Sequence, residues 1–411
     1  MLGWANQSDI CCFLDNHHYP SEHHSAEVLV GVGLRKIFHP QEDFFTSLSS
    51  FVHHANDYIF GHFNYEIKDK TAAGLTSSLP GFTSFPDHYL FIPEVVLQLE
   101  NNVLKIGVLN KDAQIIYLQI ISFVIVENEI EPISITPRQT KAQYIDAVTK
   151  LQKHIQLGDC YVINYCQEFF GYAKADTISL YTRLAKLSPN PFAAYYKVKN
   201  QHLLCASPER FIKRQGDVLI SQPIKGTASR ITTDNAMDDE AKEALHQSIK
   251  DRSENVMVVD LVRNDLSKIC TRGSVEVDEL FGVFSYPNVH QMISTVKGQV
   301  EKDIPFGSII KAMFPMGSMT GAPKHRVMEL TEHYEHSKRG IYSGTVGYIT
   351  PNKDFDFNVV IRSIVYNAIT NYISYHVGSA ITTYSHPEDE YEECMLKGRK
   401  MADLLAGNSL T

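Results

Sequence analysis

The sequence predicts an α+β protein with largely antiparallel sheets, and three observations on its 411 residues carry that expectation. Its first third alternates short apolar runs with turn residues, the pattern of strands joined by tight connections. From Thr140 onward helical and strand patterns alternate too irregularly for a doubly wound βαβ protein. No Gly-rich nucleotide loop follows a strand. With 44% apolar residues the chain can bury a large core without covalent staples, as one large or two intertwined folding units.

Taken in order, residues 28–32 and 103–109 read as strands, and the β-branched run 115–126 fits a buried strand. The stretch 127–138 carries Pro132 and Pro137 among charges and is the expected boundary between a β-rich part at 1–135 and a second part at 136–407, intertwined with the first. Residues 140–157 form a helix that closes at Gly158. Strands follow at 160–170 and 193–205, then one long helix at 238–265, then strands at 342–349, 358–366 and 372–383. A last helix starts at Pro387, where Glu388 and Asp389 favour its N-terminal dipole, and Gly407 ends it.

Composition excludes several classes. The net charge of −9 gives no electrostatic reason to expect nucleic acid or an anionic membrane as partner, so an anionic substrate needs local cations, amides or a metal. The start Met1-Leu2-Gly3-Trp4-Ala5 lacks the basic and apolar regions of a secretion signal, and no run approaches a membrane span, so the expectation is a cytoplasmic protein. Seven scattered cysteines without a CxxC pair predict reduced thiols and neither a zinc site nor a disulfide framework. His17, His18, His23 and His24 cluster, but not at the spacing of one helical face, and read as a solvated loop.

Chemistry concentrates elsewhere. Lys225, in Pro223-Ile224-Lys225-Gly226-Thr227, is an amine able to act as a nucleophile if a pocket desolvates it. In the last helix Glu390, Glu393 and Lys397 fall within about 60° of arc, either as a surface charge pair or as a metal or substrate site. Glu254 precedes an apolar stretch of its helix and needs a cation, which is Mg²⁺ on one reading and Arg252 or Arg263 on the other. The loop Gly317-Ser318-Met319-Thr320-Gly321-Ala322-Pro323-Lys324 leads into a helix and is either a cap or an anion seat. His290 alone reads as a structural histidine, whereas Arg362, inside a β-branched run, needs a carboxylate from substrate or from the protein.

The order of these segments is more specific than any one of them. Gly158-Asp159-Cys160-Tyr161, Ser207-Pro208-Glu209-Arg210-Phe211, Pro223 to Thr227, Ser253-Glu254-Asn255, His290, Gly321-Ala322-Pro323-Lys324, Tyr342, Arg362 and Glu390-Tyr391-Glu392-Glu393 together resemble the chorismate-utilising enzymes over residues 140–405. That family includes anthranilate and aminodeoxychorismate synthase large components, isochorismate synthases and salicylate synthases. The resemblance implies an anthranilate-synthase-like fold of two packed, largely antiparallel sheets with helices outside, the site lying between them. It implies Mg²⁺ on Glu254 and Glu393, with Glu390 acting through water, and a ring carboxylate completed by Lys397 and the amides of Gly226 and Thr227. Ser318 stands where some relatives have threonine. Tyr342, Arg362 and the backbone around Gly378 would hold the enolpyruvyl carboxylate, Glu209 would be the general acid, and His290 would lend electrostatic support.

Position 225 separates the branches. The anthranilate branch has alanine there and adds ammonia directly at ring C2, and it remains the alternative. The aminodeoxychorismate branch has lysine, which attacks C2 and is then displaced as ammonia enters at C4, on the route to p-aminobenzoate and folate. The water-using branches carry a base lysine at the position of Val162, which valine cannot replace. Val162 also departs from a glutamine of the ammonia-using relatives, and Ala380 from a glycine after Gly378. No cysteine is flanked by the glycines of a glutaminase elbow, so the resemblance implies a separate glutamine amidotransferase subunit as the source of ammonia.

Overall fold

The computed structural model describes residues 1–19, 26–41, 43–72, 74–124 and 128–407, so His23 and His24 lie outside the described residues. Two antiparallel sheets, one of eleven strands and one of ten, pack face to face. Alternation along the strands explains three apolar layers. Cys12, Phe60, Tyr196, Leu203, Val346 and Val365 meet between the sheets. Helices cover the outer faces, with Tyr144, Leu151 and Leu404 against the larger sheet and Leu48, Val259 and Ile309 against the smaller. Strands from both parts of the chain interleave: Ile10–Asp15 pairs with Phe192–Val198, and Ile59–Phe63 with Thr345–Ile349. No helix among the described residues is long and apolar enough to cross a membrane. The seven cysteines are free, and all but Cys270 are buried.

Most strands fall where short-range pattern puts them, including Val28–Val32, Val103–Val108, Val162–Tyr172 and Tyr372–Ile381. The helix Lys141–Gln156 opens on a capping box between Thr140 and Gln143, and Gly158 follows it at φ +84. Four segments differ from expectation. Residues 193–205 are not one strand but two, Phe192–Val198 and Gln201–Ser207, paired antiparallel with Val198 opposite Gln201. Residues 115–126 do not form a strand: Ala113–Ser122 is a helix, because Asp112 caps it and Ile116 and Ile120 bury at i, i+4 spacing, and residues 125–127 lie outside the description. The helix at 238–265 is two helices, Asn235–Gln247 and Ile249–Ser267, broken where Ser248 turns extended and accepts from the Asp251 N–H at 3.2 Å. The strand at 358–366 is likewise two, Phe355–Asn358 in the smaller sheet and Ser363–Asn367 in the larger, and Arg362 lies in the crossing between them.

The elements that position the candidate site are β1 (Val162–Tyr172), β2 (Ile224–Ser229), β3 (Glu276–Ser285), β4 (Val289–Gln299) and β5 (Tyr372–Ile381), with helices α1 (Asn235–Gln247), α2 (Ile249–Ser267) and α3 (Pro387–Leu405). β2 is the edge of the smaller sheet beside β4, and β3 also pairs with β4.

Candidate active site

Lys225 sits on a bulge. The register of β2 against β4 slips between Ile224 and Thr227, so Lys225 and Gly226 together oppose one residue of β4. Gly226 has φ +95, and a Cβ there would lie 3.0 Å from Asp251 Cβ on α2, so glycine is required by both conformation and contact. The bulge aims Lys225 into a cluster fed by three elements. Burial lowers the pKa of the Lys225 amine, Lys397 lowers it further, and Glu254, Glu209 and Glu393 oppose both.

Glu209 precedes the strand Arg210–Gln215 and is 4% exposed. Its backbone is fixed on both sides, its N–H donating to Ser207 Oγ at 3.2 Å and its carbonyl accepting from Val359 N–H at 3.0 Å. Burial pushes its carboxyl up to about 7 against the Ser318 hydroxyl, Lys225, the Ile224 backbone and Arg362. Glu209 can therefore hold a proton near neutrality and release it to a leaving group. Ser318 is what the glycine loop contributes; Lys324 turns back to Asp265 and to the Pro315 carbonyl at 2.7 Å.

The helices α2 and α3 bring two carboxylates together. Glu393 Oε1 lies 2.7 Å from Lys397 Nζ, and its Oε2 lies 3.8 Å from Lys250 Nζ. Burial pushes the Glu393 carboxyl up, but Lys397 and Lys250 outweigh it and its pKa is lowered. Glu254 is raised, by burial first and by Glu393 in addition, against Lys225 and Lys250. Glu390 is 4% exposed and accepts from the Ser379 hydroxyl. No three His, Cys, Asp or Glu side chains among the described residues converge as a metal cage. A Glu254–Glu393 pair fits Mg²⁺, which takes one or two carboxylates and keeps waters or substrate oxygens in its other positions.

At the far side Lys397 Nζ donates to the Gly378 carbonyl at 3.4 Å, and a Cβ on Gly378 would lie 2.7 Å from Cys166 Sγ. Cys166 is hydrogen-bonded to Tyr342, whose ring stacks on His376 at 5.1 Å between centroids. Arg362 has φ +50 and makes no ion pair or side-chain hydrogen bond among the described residues, although Tyr286 and Glu209 lie close. Burial lowers the pKa of its guanidinium. A desolvated arginine that makes no ion pair among the described residues is free to receive a carboxylate from a ligand.

The structure thus gathers Lys225, Gly226, Glu209, Ser318, Glu254, Glu393, Lys397, Gly378 and Arg362 around one space, with Tyr342 and Glu390 behind it. It does not bring His290 there. His290 Nε2 meets Asp238 Oδ1 on α1 at 3.0 Å and its Nδ1 meets Ser285 Oγ at 2.9 Å, while Asp238 also binds Arg230 at 2.7 Å. Thr227 is exposed at the rim, and Val162 is buried where β1 meets Gly321–Ala322. Two residues escaped sequence reasoning. Lys250 stands one helical turn before Glu254, a spacing that was readable, whereas Tyr286 reaches Arg362 through the β3–β4 hairpin, which no local pattern announces.

Fold and cluster define a class: α+β proteins of two antiparallel sheets that gather buried acid, amine and guanidinium groups at one site. The chain belongs to the family of chorismate binding enzymes, whose model matches residues 19–403. It is 42% identical over 275 residues to the chloroplastic aminodeoxychorismate synthase of Arabidopsis thaliana, covering 66% of this chain and 30% of that protein. It is 35% identical over 254 residues to aminodeoxychorismate synthase component 1 of Escherichia coli K12, covering 62% of this chain and 55% of that one. The match thus spans just over half of component 1 and under a third of the plant protein. Its fold is that of anthranilate synthase component I from Streptococcus pneumoniae, with TM-score 0.78, 21% identity and coverage of 96% and 90% of the two chains. The menaquinone-specific isochorismate synthase of Escherichia coli gives TM-score 0.78 at 16% identity, covering 98% and 91%.

Proposed function

We propose that this protein aminates chorismate at C4 to give 4-amino-4-deoxychorismate, the precursor of p-aminobenzoate and folate, with Lys225 as a covalent catalyst. The observation that carries the reading is Lys225 on its bulge, an amine with a lowered pKa beside a carboxyl group at about 7. Low polarity disfavours both charges, so each group is moved towards its neutral form, the amine that attacks and the acid that donates.

The chain's own residues account for each step. Arg362 and the backbone at Gly378 hold the enolpyruvyl carboxylate, and Lys397 with the Gly226 amide holds the ring carboxylate. The Lys225 nitrogen adds to ring C2, the electron pairs of the two ring double bonds shift towards C4, and the C4–O bond breaks. Glu209 gives its proton to the departing hydroxyl, which leaves as water. Ammonia then attacks C4, the double bonds shift back, the C2–N bond breaks, and Lys225 leaves as the free amine. Glu209 takes the surplus proton from the new ammonium. Mg²⁺ held by Glu254 and Glu393, when bound, would neutralise the ring carboxylate and draw electron density from the ring.

The name component 1 on bacterial relatives supports a partner subunit, for which a glutamine amidotransferase delivering ammonia is the fitting chemistry. Purified protein given chorismate, Mg²⁺ and ammonium at high pH should form 4-amino-4-deoxychorismate, identified by chromatography and mass. Fluorescent anthranilate as the product instead would place the chain in the other ammonia-using branch.

A further inference from the structure

His290 and Gln291 are neighbours on β4 and face opposite ways. The His290 side is the one covered by helices: His290 meets Asp238 of α1, Met292 packs with Leu245 of α1, and Ser294 Oγ donates to Asn255 Oδ1 of α2 at 2.6 Å. Alternation therefore puts Gln291 on the other face. There it stands directly opposite Thr227 of β2 and Phe284 of β3. Tyr286, one residue past the end of β3 and in step with Phe284, lies beside Arg362. The face that carries Gln291 is thus the face that looks on to Thr227 at the rim and to Arg362, which holds one end of the proposed substrate seat.

Gln291 is 0% exposed, and neither its Nε2 nor its Oε1 has a hydrogen-bond partner among the described residues. A buried carboxamide with both ends empty is costly, and native structures keep such groups for a reason. A ligand supplies one. A primary amide donates through nitrogen and accepts through oxygen, and a hydroxyl is the complementary group because it also does both. Carboxylates and ether oxygens only accept, and of the groups on chorismate the ring hydroxyl alone would fill both ends of the amide.

We infer that Gln291, and not its neighbour His290, is the substrate-contacting side chain of β4, and that it holds the ring hydroxyl at C4 through a paired hydrogen bond. The inference rests on chorismate being the substrate. It gives the site a neutral group where a histidine would titrate, so the side chain orients the leaving hydroxyl and leaves proton delivery to Glu209.

The test uses Gln291→Leu and Gln291→Met, with two ligands titrated calorimetrically in the presence of Mg²⁺: chorismate, and its analogue with hydrogen in place of the C4 hydroxyl. The expected result is that each variant weakens chorismate binding about tenfold or more and leaves the analogue within about twofold. Both variants should also melt no lower than the wild type, since an apolar side chain removes an unpaired buried amide. Equal effects on the two ligands, no effect on either, or a lowered melting temperature in both variants would overturn the inference. Wild-type protein that fails to bind chorismate would overturn it together with the proposed function, whereas wild type that binds chorismate but makes another product would overturn only the latter.

Discussion

Glu209 and Lys225 face the same space with inverted protonation preferences: burial raises the glutamate to about 7 and lowers the lysine. Each group is thereby moved towards the form that the proposed chemistry uses, the acid able to donate and the amine able to attack.

A pH dependence follows. With the concentration of free ammonia held constant and saturating, turnover should fall as pH rises past about 7, where Glu209 loses its proton. The sign for stability is the same. The folded carboxyl titrates above its unfolded value, so between about pH 4.3 and that of the folded group the folded state binds more protons, and stability falls as pH rises across the window. Glu209→Gln should remove this contribution to the slope, read as denaturant midpoints at about pH 5 and about pH 8. An unchanged slope would contradict the assignment.

Removing one carboxylate of the Glu254–Glu393 pair should expose the metal's part in binding. Glu254→Ala is expected to weaken Mg²⁺-dependent chorismate binding by about tenfold or more, measured as the Mg²⁺ concentration that gives half-maximal affinity. Glu390→Ala, which breaks a bond to Ser379 rather than removing one of the pair, should shift that concentration less.

The bulge itself is open to test. Gly226→Ala places a methyl group 3.0 Å from Asp251 Cβ at φ +95 and should destabilise the fold by about 1–3 kcal/mol, with the larger loss in activity because Lys225 is re-aimed. Chemical denaturation and kcat/KM on the same preparation separate the two effects.

Much of this was readable before any coordinates. The capping residue Thr140, Pro387 in the first turn of α3 and the turn-bounded strands announce themselves locally, and a shared face on α3 follows from the spacing of Glu390, Glu393 and Lys397. What failed did so for physical reasons. The β-branched run at 115–122 reads as strand until the Asp112 cap and the i, i+4 burial of Ile116 and Ile120 are weighed. Nothing local breaks the apolar run at 359–365, so the change of sheet that strands Arg362 at φ +50 is a tertiary fact. His290 and Gln291 differ by one position on a strand, and which of them faces substrate depends on which side the helices α1 and α2 cover.

Intact-protein mass spectrometry with chorismate and Mg²⁺, in the absence of ammonia, tests the central claim most directly. Wild-type protein should gain the mass of chorismate less one water, on a peptide containing Lys225, and lose it when ammonium is added, while Lys225→Ala should gain nothing and lose C4 amination. No adduct on wild-type protein, together with undiminished C4 amination by Lys225→Ala, would contradict the account.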